Sequence, residues 1–247
     1  LEEDIFRTNP QALEKLNGWV KARDASRQPA AMYAMGSLLL EKDDLSGAVK
    51  MAEEGLSKYP QSLPVQILSL NTITVLLDKN RLQDAERLIS KYPGSSPDLV
   101  FQQGALAFLK KDYSLAQKLF REAARRASET TAENALFNEN LAALNANDAS
   151  GAAALIKEAA GSSRLRESIL FEQAHYAAKR MAPQAAELLA NFITLAETPA
   201  LKTQARLDQV EVALNLNPPD LETVQAILPL LEKEQLSPEQ TMQLARL

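Results

Sequence analysis

The residues best suited to chemistry in this 247-residue chain are few, and two of them sit together: Glu172 and His175, in the string EQAH. A carboxylate three residues ahead of an imidazole puts both on one helix face, the spacing with which di-iron helix bundles hold their metals. Such centres need two of these motifs, and His175 is the only histidine. With no cysteine in the chain, thiolate catalysis, disulfides and thiolate metal sites are removed. A zinc site would then need three carboxylates, a poor ligand set for that ion. Neither common glycine-rich phosphate loop occurs, nor does the nucleophile-elbow string. Carboxylate pairs exist among the 32 acidic side chains, but none is marked out for acid–base work. EEDIF at 2–6, EKDD at 41–44 and Glu53–Glu54 read as helix starts, links and solvated faces. The expectation is a non-enzymatic protein with no cofactor and no metal.

Composition narrows the class further. The net charge of −5 argues against nucleic acid as the partner. Residues 181–247 carry the deficit, with 4 basic and 9 acidic side chains. The local basic run of Lys118, Arg121, Arg125 and Arg126 reads as one solvated helix face. No apolar run of about 18 residues is present, so no membrane span is expected. The first residue is Leu and no charged-then-apolar leader follows it. SPEQTMQLARL at the other end reads as a helix begun and not answered, so the chain is expected to be a piece of a longer protein. Absence of cysteine over this length leans towards a bacterial source and leaves cytoplasm and periplasm both open.

The elements that must position any site are helices. Apolar residues recur at helical spacing almost throughout, and neither alternating runs nor Asn-Gly hairpins are seen. The pattern predicts fourteen helices, over 10–24, 28–41, 45–58, 62–78, 82–91, 96–110, 113–128, 132–146, 150–160, 164–180, 183–196, 199–215, 219–233 and 237–247. Most prolines fall near helix ends, and Pro64 falls in a first turn, where a missing N–H costs little. Pro229 lies inside a helical pattern and is expected to kink or end it. Links of a few residues make neighbouring helices antiparallel. AAGSSR at 159–164 is the best linker candidate, and it is short, so one array over 1–247 is expected.

After each short polar link an alanine recurs: Ala48, Ala85, Ala116, Ala152 and Ala186, at spacings of 37, 31, 36 and 34. A period near 34 made of two antiparallel helices signals an α-solenoid. From Pro29 the unit reads Gly36, Ala48, Ala52, Gly55 and Pro60; from Pro97 it reads Gly104, Ala116, Phe120 and Ala123. From Glu133 it reads Asn140, Ala152, Ile156 and Ala159, and from Glu167 it reads Ala174, Ala186, Ala190 and Ile193. This pattern resembles the tetratricopeptide repeat, in a degenerate bacterial-type form. Residues 29–196 carry the resemblance well; 1–28 and 199–247 fit loosely. Asn140 departs from the family's small residue, and so does Ile73 in the unit from Gln66, whose second helix is cut short at Pro93. The resemblance implies an all-α, right-handed superhelix of antiparallel helical hairpins. Gly36 against Ala48, and Gly104 against Ala116, are the predicted points of closest helix approach, where a larger side chain would overpack.

In that family the first helix of each hairpin lines the concave side. Its fifth position is here Tyr33, Leu70, Phe101, Phe137 and Phe171. His175 and Leu141 fall at the ninth position, and Phe108 at the twelfth. Four of the chain's few aromatic residues (7 Phe, 5 Tyr, 1 Trp) therefore share one equivalent position. Either the rings pack between adjacent hairpins, or they form an apolar groove for a helix or extended segment. The candidate partner-binding residues are Tyr33, Leu70, Phe101, Phe108, Phe137, Leu141, Phe171 and His175. The fifth position is never basic, which argues against the carboxylate clamp that chaperone-binding members use. The implied function is a protein–protein scaffold or adaptor binding a protein or peptide. The alternative is a self-associating homo-oligomeric array in an envelope, secretion or polysaccharide-export assembly.

Overall fold

The structure, a computed structural model, describes residues 10–21 and 27–247. Among them the fold is all-α: fourteen α-helices, one short 3-10 turn (Ala159–Gly161) and no strand. The expected run of the first helix to residue 24, and EEDIF at 2–6, lie outside the described residues. Two compact units are distinguished, Leu1–Ala135 and Leu136–Leu247.

The first unit holds α1 (Pro10–Lys21), α2 (Gln28–Glu41), α3 (Leu45–Lys58), α4 (Leu63–Asp78), α5 (Leu82–Lys91), α6 (Pro97–Leu109), α7 (Tyr113–Arg126) and the start of α8 (Glu129–Asn145). The second holds the rest of α8, then α9 (Ala149–Glu158), α10 (Ser163–Lys179), α11 (Ala185–Leu195), α12 (Pro199–Leu214), α13 (Leu221–Leu231) and α14 (Pro238–Leu244). Helix α8 begins three residues ahead of the expected 132, because the Ser128 carbonyl already accepts the Ala132 N–H at 2.8 Å. Pro64 does stand in a first turn, as do Pro29, Pro97, Pro199 and Pro238. Pro229 lies inside α13, which ends two residues later at Leu231.

A single turn recurs between paired helices. Asp43, Asn80, Lys111, Asn147 and Met181 all have positive φ, between 50° and 65°. Each lies five residues before one of the recurring alanines. The hydrogen bonds are the same each time. At the first, Asp43 N–H donates to Leu40 O at 3.0 Å and Asp44 N–H to Leu39 O at 2.8 Å. At the third, Lys111 N–H donates to Phe108 O at 2.9 Å and Asp112 N–H to Ala107 O at 2.9 Å. This is a Schellman end, which satisfies the last carbonyls of the first helix. At three of the five turns an aspartate in the next position then caps the second helix. Asp44 accepts from Gly47 N–H at 2.9 Å, Asp112 from Leu115 N–H at 3.1 Å, and Asp148 from Gly151 N–H at 2.9 Å. The link between α12 and α13 has no such left-handed residue, in keeping with the loose repeat there.

Within the first unit, α2 packs on both α3 and α4, α3 on α4 and α5, and α4 on α5 and α6. The core runs through these contacts, with Ala52, Val65, Leu68, Ile73, Leu76, Ala85 and Leu88 fully buried. Ser69 and Thr72 are buried among them and donate to Val65 O and Leu68 O, each at 2.8 Å, so no polar group is stranded.

The close approaches differ from those expected. A Cβ on Gly36 would first meet Leu68 of α4, at 2.4 Å from Cδ1, and not Ala48. A Cβ on Gly104 would meet the Phe120 ring at 2.9 Å, one turn beyond Ala116. The recurring alanines are themselves too short to fill the space, and a larger neighbour reaches into it.

Gly36→Ala should cost about 1–3 kcal/mol in a urea titration, because the fully buried Leu68 has nowhere to go. Gly18→Ala is the control: nothing lies within 4 Å of its Cβ position, and a gain of roughly 0.5–1 kcal/mol is expected. For the turn, Lys111→Gly should stabilise by about 1 kcal/mol through relief of left-handed strain, and Asp112→Ala should cost about as much.

Candidate functional site

The residues expected to line a groove are placed on first helices, mostly half-buried. Tyr33 on α2 and Leu70 on α4 lie against the same core of the first unit. Phe101 on α6 leans on Val100, Ala123 and Ala135, its ring 5.3 Å from that of Phe120. Phe108, two turns further along α6, meets the edge of Tyr113 at 5.3 Å. In the second unit Phe137 packs beside Leu155, Leu165 and Ile169, and Leu141 is half-buried on the same helix. Phe171 is 8% exposed and belongs to the core, 5.4 Å from the Phe192 ring. His175 stacks on it one turn later, at 5.4 Å and 19° between planes. The structure thus brings Tyr33 together with Leu70, and Phe171 with His175, around separate cores.

A polar seam that sequence reasoning missed lies beside His175. Helix α10 presents Glu172, His175 and Lys179 at i, i+3 and i+7; α12 presents Gln204, Asp208 and Glu211 at i, i+4 and i+7. Both spacings keep their residues on one face. The His175 Nδ1 lies 2.5 Å from Asp208 Oδ2, and Asp208 is completely buried. Its other oxygen accepts from Gln204 at 3.2 Å and from Gln243 of α14 at 3.4 Å. Lys179 Nζ donates to Glu211 at 2.8 Å and stands 3.7 Å from Asp208. Gln243 also donates to Glu211, at 3.2 Å. Three helices therefore share one hydrogen-bonded cluster.

Its electrostatics follow from that geometry. The hydrogen bond to Asp208 is the main cause that lifts the His175 imidazole above its ordinary 6.5; burial opposes it. Burial raises the Glu172 carboxyl above its usual 4.5, with Asp208 adding to the effect and His175 opposing it. Burial works against the Lys179 ammonium, but Glu211 and Asp208 together outweigh it and raise its pKa. Such a cluster holds and exchanges a proton. The groups around the His175–Asp208 pair are the amides of Gln204 and Gln243 and the Lys179 ammonium.

Asn140, the departure from a small residue, is also fully buried. Its Oδ1 accepts from Gln173 Nε2 at 2.9 Å, and the same amide donates to Ala152 O at 2.8 Å. Gln173 thereby ties α10 to α8 and α9. Among the described residues no three or more His, Asp or Glu side chains converge as a metal ion would need. No described helix is long and apolar enough to cross a membrane.

One sequence signal for the seam existed. Ala205, Asp208 and Val212 follow core spacing on α12, so an acid stands where an apolar residue belongs. Nothing in the sequence says that His175, 33 residues earlier, answers it.

No protein-family model, no curated protein and no solved structure matches this chain.

Asp208→Ala leaves His175 and Lys179 without the acid they share. Their own partial exposure softens the loss. A cost of about 2–3 kcal/mol is expected in chemical denaturation followed by circular dichroism.

Proposed function

We propose that this chain is a non-enzymatic scaffold that binds a protein or peptide, built as a tetratricopeptide-like right-handed superhelix and forming part of a larger bacterial-type protein. One observation carries the reading. The same left-handed turn recurs five residues ahead of Ala48, Ala85, Ala116, Ala152 and Ala186, so successive helix pairs are built alike. A chain that repeats one turn and one spacing repeats one surface. Equivalent side chains on first helices then form rows, and rows of half-buried apolar groups are what an extended or helical segment docks on. Within the first unit the row is Tyr33, Leu70 and Phe101, with Phe108 a further two turns along α6. In the second it is Phe137, Leu141 and His175, with Phe171 buried beneath the imidazole.

A second reading, self-association, draws on a different observation. Leu221, Leu230 and Met242 on α13 and α14 are large apolar side chains left exposed. Such groups favour contact with another copy.

The test compares the native chain with a Tyr33→Ser, Phe101→Ser double variant in affinity capture from the source cells, with sedimentation velocity run on both. The scaffold reading expects a helical, monomeric variant that loses specific captured proteins. A variant that folds and keeps them all sinks it. Mass that rises with concentration in the native chain, and falls to monomer in Leu221→Lys, favours the array.

A further inference from the structure

We propose that His175 and Asp208 form a proton-operated clamp that holds α12 and α14 against α10. The geometry is that of a latch with a buried catch. Asp208 is inaccessible to water, and His175 closes on it at 2.5 Å from a helix two elements earlier. Gln243 brings α14 to the same carboxylate, so all three helices meet at one acid. The charges that set the imidazole are Asp208 from α12 and Glu172 and Lys179 from α10. Glu211 of α12 enters through Lys179. The other elements packed on α10 meet it through Phe192 of α11, through Leu155 of α9 and Ala159 of the 3-10 turn, and through the neutral amide of Gln173, which bonds Asn140 of α8 and Ala152 O of α9.

Charge balance makes the clamp sensitive to one proton. With His175 protonated, two cations (His175 and Lys179) face Asp208 and Glu211. The Glu172 carboxyl, itself held towards its neutral form by burial, stands on the same helix as the two cations. Once the imidazole is neutral, Lys179 alone serves both carboxylates, and it sits closer to Glu211 (2.8 Å) than to Asp208 (3.7 Å). The completely buried acid then keeps the neutral imidazole's Nδ1–H and two amides as donors, but the only cation left near it is the ammonium 3.7 Å away. Water cannot replace the lost charge there. The sign follows from linkage. Because the folded protein holds the imidazole proton more tightly than the unfolded chain, the stabilisation is fully present below the ordinary 6.5 and is lost as pH rises through the raised folded value. The second unit therefore tightens towards acid and loosens as pH rises through the raised imidazole midpoint.

The chain has only one histidine, so its ring resonance reports this group alone. The intact chain is titrated by NMR, and amide hydrogen exchange is measured at about pH 5.5 and about pH 8.5, corrected for intrinsic rates. The imidazole midpoint is expected above 6.5. Protection in α12 and α14, relative to α4, should fall about tenfold for each pH unit by which that midpoint exceeds the free value. In Asp208→Asn the midpoint should drop towards 6.5, and in His175→Gln the pH dependence of protection should vanish. An imidazole that titrates at or below 6.5 in the native chain overturns the proposal, as does a His175→Gln variant that keeps the same pH dependence. Should either variant fail to fold, the native titration and native exchange decide the matter by themselves.

Discussion

A left-handed residue at the end of a helix is the constraint from which the rest of this structure follows. For an L-residue with a Cβ, positive φ is unfavourable. Yet the chain adopts it at Asp43, Asn80, Lys111, Asn147 and Met181. In return, two backbone N–H groups close on the last carbonyls of the first helix. At four of the five turns the residue that follows is the N-cap of the second; after Met181 the second helix starts later, at Ala185. The direction of the second helix is thus set locally, and the alanine five residues on is buried at Ala48, Ala85, Ala116 and Ala152. In the fifth pair the register shifts by one, and Ala185 is buried in place of Ala186. Small helix pairs cannot bury their apolar faces alone. A turn that delivers those faces in constant register lets the next pair complete the burial.

Packing then works within the space that the turns define. Ala48, Ala85, Ala116 and Ala152 are almost wholly buried, and their short side chains leave room that neighbours enter; in the fifth pair Ala186 is exposed and Ala185 takes the buried place. Leu68 reaches Gly36 and the Phe120 ring reaches Gly104, so each glycine is dictated by its neighbour's bulk rather than by its own backbone. The same logic explains the row of half-buried side chains. Tyr33 and Leu70 lie one residue beyond fully buried core positions, so part of each side chain supports the core while the rest faces outwards. Groove and core are two ends of the same side chain, and the distinction drawn from sequence between them is softer in three dimensions.

The second unit departs from apolar packing at one seam. Between α10 and α12 a completely buried aspartate replaces a hydrophobic contact, answered by an imidazole, an ammonium and two amides. A buried carboxylate is tolerated only with partners of this kind. The seam therefore fixes which faces of α10, α12 and α14 meet, since a register shift would strand the acid.

Much of the fold was legible in the order of residues, because helices depend on near neighbours. The 3.6-residue period, prolines at first turns and polar links place α4 at 62–78 by pattern and at Leu63–Asp78 in the structure. The alanine spacing likewise exposed the repeat. What escaped the pattern is what depends on distant partners. Lys111 and Met181 are not residue types that announce a left-handed turn; the helices on either side impose it. The sequence marked Gly36 as a close-approach site but could not say that Leu68, 32 residues away, would fill it. His175 stood out as the lone histidine, yet its meaning lies in Asp208, which comes within reach only when α12 folds back along α10. By itself the sequence determined helices, their order and the recurrence of one unit, because local sterics and backbone hydrogen bonds suffice for those. Only the tertiary structure decided which side chains meet and which acid is denied water, because burial and pairing belong to the packed chain and not to any segment of it.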